Sequence, residues 1–463
     1  MEKFDVAIIG GGPAAIFAAY EFTEKYPQLK VVILEEGHPV TRRICPISAG
    51  KTTECLRCKP CAIMRGFGGA GAFSDGKFNF TTEFGGWLTD YLPQKTIMEL
   101  IDYVDELNCR HGAPGEYFST KGCSIDRLAL GHDLHLLHAK VRHLGTENNL
   151  KIMESIYRYL TEKIDIRCDT KVESFAKEGD RFKIRAGGQD LESKYLIAAP
   201  GRAGAEWFEK QCKDLGMNFT NNQVDVGVRV EVPAAVFKHI TDEVYEAKLV
   251  YRSKQYNDLV RTFCMNPYGY VVAENTDGIV TVNGHSFADP ALQSENTNFA
   301  LLVSNTFTEP FNEPLQYGKR IASFSNMLGG GVLLQRFGDL IKGRRTNERR
   351  LKKSFTHPTL QATPGDLSLV LPKRQLDDII EMIYALDKVA PGMANDDTLL
   401  YGVEVKFYSA RLELDGMLET KIPNLFAVGD GAGITRGLSQ ASASGVYVAR
   451  QIGARESSPR CEA

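Results

Sequence analysis

The stretch FDVAIIGGGPAAIFAAYEF, beginning at Phe4, constrains this chain more than any other. Asp5 to Gly10 is a short apolar run rich in β-branched residues, the mark of a buried strand. It leads into Gly10, Gly12 and Ala15, spaced G-x-G-x-x-A, and then into a helical pattern through Ile16, Phe17, Ala19, Tyr20 and Phe22. A second strand, KVVILEEG, ends on Glu35. Each position has a physical reason. Gly10 permits a tight strand-to-helix turn, Gly12 lets a pyrophosphate lie against bare backbone, and Ala15 lets helix and strand pack closely. The helix N-terminus offers unpaired N–H groups and partial positive charge to phosphates. Glu35 stands where a carboxylate accepts hydrogen bonds from a ribose. Strand, motif, helix, strand and acid in this order predict a unit that holds a dinucleotide, either FAD or NAD(P).

A second bare stretch, IPNLFAVGDGAGITRGLSQASASG, lies near the other end. It reads as a strand, a glycine turn carrying Gly429 and Asp430, and a helix lined with small residues. The arrangement is similar to that of two-dinucleotide-domain flavoproteins. There an Asp at this strand end holds the ribityl chain, and the next helix points its N-terminus at the flavin edge where negative charge gathers on reduction. Between the two, KYLIAAPGRAGAEW resembles the Ala-Thr-Gly segment of the same flavoproteins, with Pro200 in place of Thr. The segment before it reads as strand, turn, strand, with Val172 where such proteins touch the adenine. An enzyme using NAD(P) alone has no need of the Gly-Asp segment, so the expected cofactor is FAD. No second complete strand–GxGxxG–helix unit is present in the sequence, so NAD(P)H is expected only as a transient donor. The expected FAD contacts are Gly10, Gly12, Pro13, Ala14, Ala15, Glu35, Glu36, Arg42, Arg43, Ala70, Lys77, Val172, Ala199, Gly201, Gly429, Asp430 and Ile434, with Arg42 or Arg43 at the pyrophosphate.

The segment between these landmarks holds two further features. GFGGAGAFSDGK carries five glycines before Lys77, a loop that turns sharply or lets backbone approach a ligand. It is expected against the flavin ring, with Ser74, Asp75 and Lys77 as hydrogen-bonding groups. Cys45, Cys55, Cys58 and Cys61 are spaced C-x9-C-x2-C-x2-C. They suit a zinc ion, an iron–sulfur cluster or a redox disulfide beside the flavin, or carry no ligand at all. Arg57, Lys59 and Arg65 nearby favour thiolates. His132, His135, His138 and His143 form a drifting stripe better suited to surface or core than to one metal.

From about Gly216 to Leu340 the chain alternates in the manner of strands, as in VDVGVRVEVP and LVRTFCMNPYGYVVAE. The expected architecture is α/β: a Rossmann-type FAD-binding domain of glutathione-reductase-like kind, interrupted by a mainly antiparallel β-sheet substrate domain roofing the flavin. The boundaries read as 1–212 for the first part of the FAD domain, with a helical insertion at about 85–145, 213–355 for the insert, and 356–463 for the return. QKTIMELIDYVDELNCRHG and QLDDIIEMIYALDKVAPG are amphipathic helices. Lys406 and Tyr408 read as i and i+2 on one strand face. Arg344 and Arg345 follow a glycine, either as a solvated loop or as a site for an anion.

With 463 residues the chain is too long for one small core. A net charge of −3 gives no global pull toward nucleic acid or an acidic membrane. No apolar run approaches the roughly 20 residues of a bilayer span, and strand residues begin almost at Met1, so a cytoplasmic protein acting on a small molecule is expected, its oligomeric state open.

The segments CLRCKPC, GFGGAGAFSDGK, VRTFCMNPYGYVV, VNGHS, NTNFALLVS, GRR, EVKFY and GDGAGITRGLSQASASG together resemble the bacterial FAD-dependent, or NAD(FAD)-utilising, dehydrogenases across nearly the whole chain. That resemblance implies an FAD-containing oxidoreductase, with FAD roles at Gly10, Gly12, Ala15, Glu35, Gly429 and Asp430, and makes the cysteines part of the family pattern. The expected activity is hydride transfer between a reductant such as NAD(P)H and a small organic substrate, as double-bond reduction or dehydrogenation. Lys77, Arg261, Lys406 and Tyr408 are the expected groups for substrate polarisation and proton transfer. Two other readings stay open: a tRNA-modifying flavoprotein, and a non-enzymatic flavin/thiol redox sensor or electron carrier.

Overall fold

A computed structural model of the chain describes all residues except Ser48, Thr53, Glu54, Cys55, Arg57, Asp75, Asp277, Ala288, Glu309, Asn312 and 458–463. The chain divides into two compact units. One comprises residues 1–116, 142–222 and 408–463, the other 117–141 and 223–407.

The first unit is built on parallel strands. Asp165–Arg167, Val31–Leu34, Glu2–Ile9 and Gln189–Ala198 lie side by side, in that order. The long Gln189–Ala198 strand divides its outer edge. Its first half pairs antiparallel with Arg181–Ala186, which continues to Val172–Glu178, and its last residues pair parallel with Leu425–Ala427. The apolar runs at 6–9, 31–34 and 195–198 are buried along their length, as strands covered on both faces require. The Pro13–Lys25 helix follows the first strand and packs along the Leu438–Ser457 helix. The amphipathic Gln94–Arg110 helix forms where its pattern predicts it, burying Ile97, Leu100, Ile101, Val104 and Leu107.

The second unit is a mainly antiparallel sheet. Its order runs Thr363–Pro364, Leu333–Arg336, Leu399–Lys406, Val224–Pro233, Asn296–Asn305, Leu259–Asn266, Leu249–Arg252 and Leu134–Leu136. Val226, Val228, Val230 and Val232 form one apolar face, in a core with Phe237 and Ile240 of the Ala234–Val244 helix and Ile379, Met382 and Ile383 of the Lys373–Val389 helix.

The antiparallel insert is therefore present, but its boundaries differ from those read in the sequence. Residues 356–407 belong to it because Leu399–Lys406 pairs with Val224–Pro233 in the middle of its sheet. Residues 117–141 join it because Leu134–Leu136 pairs with Leu249–Arg252 at its edge. Residues 213–222 stay with the first unit. Sequence texture marks where strands occur, whereas ladder hydrogen bonds between distant segments decide which strands share a sheet.

Candidate functional site

In the first unit, Glu2–Ile9, Gln189–Ala198 and Leu425–Ala427 are adjacent and parallel, so their C-terminal ends meet at one edge. Ile9 stands opposite Ala198, and Ala198 opposite Ala427. Hydrogen bonds carry the ladder one step further, from Ala199 N to Ile9 O at 2.9 Å and from Val428 N to Ala198 O at 3.0 Å. The chain then turns at a glycine after each strand. Gly10 has φ +100°, and a Cβ there would overlap the Ala199 carbonyl, so only glycine fits. Gly201 and Gly429 have φ +61° and +75°. Gly12 caps the first helix in an extended conformation with Pro13 behind it, and a Cβ there would meet only Gly69 Cα at 4.0 Å. At Gly201 and Gly437 it would meet nothing within 4 Å. Open main chain thus faces the site from several directions, and the first helical turn brings donors that have no intrahelical acceptor. Ala15 is buried, as close packing of helix on strand requires.

Glu35 organises the loops around this edge. Its Oε2 accepts from Gly11 N at 2.6 Å, and its Oε1 accepts from Gly37 N and Gly66 N, both at 2.8 Å. A carboxylate has about four lone-pair sites, so a ribose hydroxyl can still be accepted there. Glu36 pairs with Arg65. Arg42 is exposed and pairs with Asp169. Arg43 differs from its expected role at a pyrophosphate: it is buried, donating to the carbonyls of Ala62, Ile63, Gly66 and Phe67. Burial lowers its guanidinium to about 10. Its donors are spent holding the loop that leads into the glycine segment.

That segment lies against the first helix turn. Gly68 N donates to Gly11 O at 2.8 Å, and a Cβ on Gly69 would press on Gly12 Cα at 3.0 Å. Ala70 opens a short turn, Ala70–Phe73, and Lys77 begins a buried strand, Lys77–Phe80. Ser74 Oγ donates to Gly71 O at 2.7 Å; Asp75 lies outside the described residues. Sequence reasoning missed Asn149. From the Thr146–Thr161 helix its buried Nδ2 donates to the carbonyls of Gly71, Ala72 and Ser74 at 2.7, 3.2 and 3.3 Å. A lone Asn in a helical pattern gives no signal for this. Val172 opens its strand opposite Ala186.

At the other bare stretch, Asp430 Oδ1 accepts from Thr435 Oγ1 at 2.7 Å. Ile434 is buried, its carbonyl accepting from Trp87 N at 2.8 Å. Arg436 stacks on Trp87 and on Tyr408, 3.6 Å from each ring centroid. Tyr408 is therefore part of an aromatic clamp in the first unit. It does not share a strand face with Lys406, because the Leu399–Lys406 ladder ends where Lys406 pairs with Asp225. In the first turn of the last helix, Ser439 Oγ and Gln440 Oε1 are buried with no hydrogen-bond partner among the described residues. Orphaned polar atoms beside open glycine backbone fit a polar, phosphate-bearing ligand.

The second unit places Arg261 and Lys406 on the polar face of its sheet. Asp225 and Arg229 point away from the valine face, in register with Lys406 and Tyr401. Arg229 is fully buried. Its Nε donates to Asn298 Oδ1 at 2.9 Å, its Nη2 to Asn298 Oδ1 and Cys264 O at 2.7 Å, and its Nη1 lies 3.3 Å from Glu404 Oε2. Lys406 Nζ reaches Glu404 Oε1 at 2.7 Å, and Arg261 pairs with Asp225. The signal for these groups was the D-x-x-x-R and E-x-K spacing on alternate strand positions. Arg344 donates to buried Asp339 at 2.8 Å, and exposed Arg345 donates to Pro364 O at 3.3 Å.

Cys45, Cys58 and Cys61 are free thiols, Cys58 exposed and the other two half-buried. Cys55 lies outside the described residues, so the four-cysteine ligand set has no described geometry.

Residues 223–407, the insert of the second unit, match the family model described as FAD-dependent protein, C-terminal domain-like. An uncharacterized protein of Clostridium beijerinckii is 26% identical over 96% of this chain and 80% of its own length. Among solved structures, glycine oxidase from Bacillus cereus is similar at 13% identity and TM-score 0.40, over 98% of this chain and 95% of that one. Glycine oxidase from Geobacillus kaustophilus is similar at 12% identity and TM-score 0.38, over 98% and 93%. The family match makes FAD the cofactor of this chain, and the glycine edge and orphaned polar atoms of the first unit fit it.

Proposed function

We propose that the protein is an FAD-dependent oxidoreductase that moves hydride between a reductant such as NAD(P)H and a small organic substrate, with a Rossmann-type, glutathione-reductase-like cofactor domain. One observation carries the reading: three adjacent parallel strands end together in glycine turns, one of them beside a buried acid and another before a helix start with orphaned polar atoms. When bound, FAD supplies the two-electron redox chemistry itself. The chain binds and orients. Gly12 and the first helix turn hold the pyrophosphate, Glu35 accepts from the adenosine ribose, Asp430 holds the ribityl hydroxyls, and the start of the last helix favours negative charge. Lys77, Arg261, Lys406 and Tyr408 are the groups assigned to substrate polarisation and proton transfer. A net charge of −3 supports small-molecule partners rather than nucleic acid or membrane, in a cytoplasmic setting. Among the described residues no helix is long and apolar enough to cross a membrane.

The test is direct. Purified protein should be yellow, and a valine in place of Gly12 should release the flavin without unfolding the chain. Anaerobic NADH or NADPH should bleach the visible band, and an acceptor screen should restore it. Colourless protein that refuses added FAD would end the proposal.

A further inference from the structure

One surface of the second unit is basic and holds out a bare aromatic ring. In the segment IKGRRTNERRLKKSFTH, residues 341–357, seven Lys and Arg stand against one Glu. Part of this charge is tied inward. Fully buried Asp339 accepts from Arg344 at 2.8 Å and from Arg350 at 2.9 Å, Lys342 pairs with Asp396, and Arg336, just before the segment, pairs with Asp397. The rest faces water: Arg345, Arg349, Lys352 and Lys353 are exposed, and none of them makes an ion pair among the described residues. The neighbouring acids do not cancel them. Arg336 and the segment supply eight cations, against Asp339, Glu348, Asp396, Asp397, Asp366 next to the Arg345 contact, and buried Glu231, which accepts from Thr359 just beyond.

Phe355, two residues after Lys353, is 87% exposed, more than any other large apolar side chain described. The main chain on both sides of it is anchored. Ser354 and Thr356 are each 2% exposed, and Phe355 N donates to Asp397 Oδ2 at 2.9 Å, the carboxylate that also holds Arg336. The ring is therefore presented to solvent from a fixed backbone, beside cations with no partner of their own. An aromatic anchor with a charged rim is the anatomy of a protein-docking surface.

Charge decides what docks there. Residues 341–357 carry +6 in a chain of −3, so the remaining residues carry −9. A lipid plane or a long polyanion meets that acidic remainder as well, within a screening length of about 8–10 Å. A compact acidic partner meets the basic surface alone. The sequence holds a single dinucleotide motif and no nicotinamide domain of its own, so a reductant has to arrive from outside.

We propose that Arg345, Arg349, Lys352, Lys353 and Phe355 dock an acidic electron-carrier protein, its carboxylates on the cations and an apolar pocket over the ring. Two one-electron encounters, with two protons from solvent, reduce one FAD to FADH2 and oxidise two carriers. The surface deepens the redox reading, on which it rests for calling the partner a carrier; docking itself is independent of it.

The test uses the full chain and two acidic carriers, a flavodoxin and a plant-type ferredoxin, with basic cytochrome c as control. Calorimetric titration should show binding of an acidic carrier that weakens steeply with added salt. Lys352→Glu with Lys353→Glu should weaken it at least about tenfold, or about 1.4 kcal/mol, and the paired Lys→Arg changes should retain it. Phe355→Ser should weaken it by a similar factor and leave the salt dependence in place. If the double Glu variant does not fold by circular dichroism, Arg349→Glu supplies the same comparison. Anaerobically, the reduced carrier should bleach the flavin band, more slowly in the Glu variant at equal flavin content. Indifference to both carriers, unchanged affinity in a folded Glu variant, or tighter binding of cytochrome c, of anionic phospholipid vesicles or of a single-stranded oligonucleotide would overturn the surface, as would yellow protein that binds the carriers and is never bleached by them. Yellow protein bleached by NADH or NADPH yet indifferent to the carriers keeps the redox reading and loses the surface. Colourless protein that binds a carrier through Lys352 and Lys353 keeps the surface and loses the redox reading.

Discussion

Gly445 packs directly on the main-chain carbonyl of Ala14, so closely that a Cβ added to Gly445 would overlap that oxygen. The contact joins the first helix of the chain to the last. It sits in the first turn after the Gly12 edge, where Gly429 also approaches the Ala14 side chain.

Gly445→Ala is therefore expected to destabilise the protein, although alanine is ordinarily the better helix former by about 1 kcal/mol. Backbone meets backbone here, so the helices must separate, at about 1–3 kcal/mol for overpacking. Urea unfolding measures the loss, and flavin content should fall with it. Gly115→Ala, in a loop where nothing stands within 4 Å and φ is not positive, is the control and should leave the urea midpoint unchanged.

Glu35→Gln keeps shape and removes charge. The carboxylate accepts three main-chain N–H groups, whereas an amide has a single oxygen and turns its NH2 toward at least one of those donors. Leaving a buried donor unmet costs about 1–3 kcal/mol. Both the unfolding free energy and the flavin dissociation constant should worsen. A variant that keeps wild-type flavin affinity would remove Glu35 from the site.

Asn149→Ala should release the glycine segment while leaving the sheet intact. Ala72 O and Ser74 O lose the Nδ2 donor, while Gly71 O keeps only its bonds from Ser74 N and Oγ. The expected cost is about 1–2 kcal/mol, with hydrogen exchange rising across residues 66–77 and little change in the 2–9 strand. Unaltered exchange in that loop would contradict the role.

Asp378 sets a pH dependence of opposite sign to the ordinary acid. Burial raises its carboxyl to about 6, with the nearby charge of Asp258 adding to the rise against the pull of the Ser253 hydroxyl. The native state therefore holds a proton that the unfolded chain has already lost, and stability from this group falls as pH rises from about 4 to about 6. Asp378→Asn removes the ionisation. Its stability relative to wild type should grow across that window and then level off. Urea titrations at pH 4, 5, 6 and 7.5 read this difference directly; a flat difference would refute it.

The glycine-turn edge was legible where the backbone itself is constrained. Gly10 must reach φ +100° beside the Ala199 carbonyl, and no other residue type does so cheaply, so the motif announces it. Glu35 was legible by its spacing from that turn. Arg42 and Arg43 were not distinguishable from each other in the sequence, yet one faces solvent and the other lies under four carbonyls. Lys406 and Tyr408 looked like strand neighbours because alternation carries no mark of where a ladder stops.

Local demands, then, are readable from residues alone: which turns need glycine, which runs form strands and amphipathic helices, and where an acid follows a glycine turn. These depend on φ, ψ and side-chain period within a few residues. Which segments share a sheet and which charges meet is set by long-range pairing. Arg229 and Glu404 are 175 residues apart, and no local rule joins them. The ladder between their strands brings them together, and burial then makes their charge balance matter.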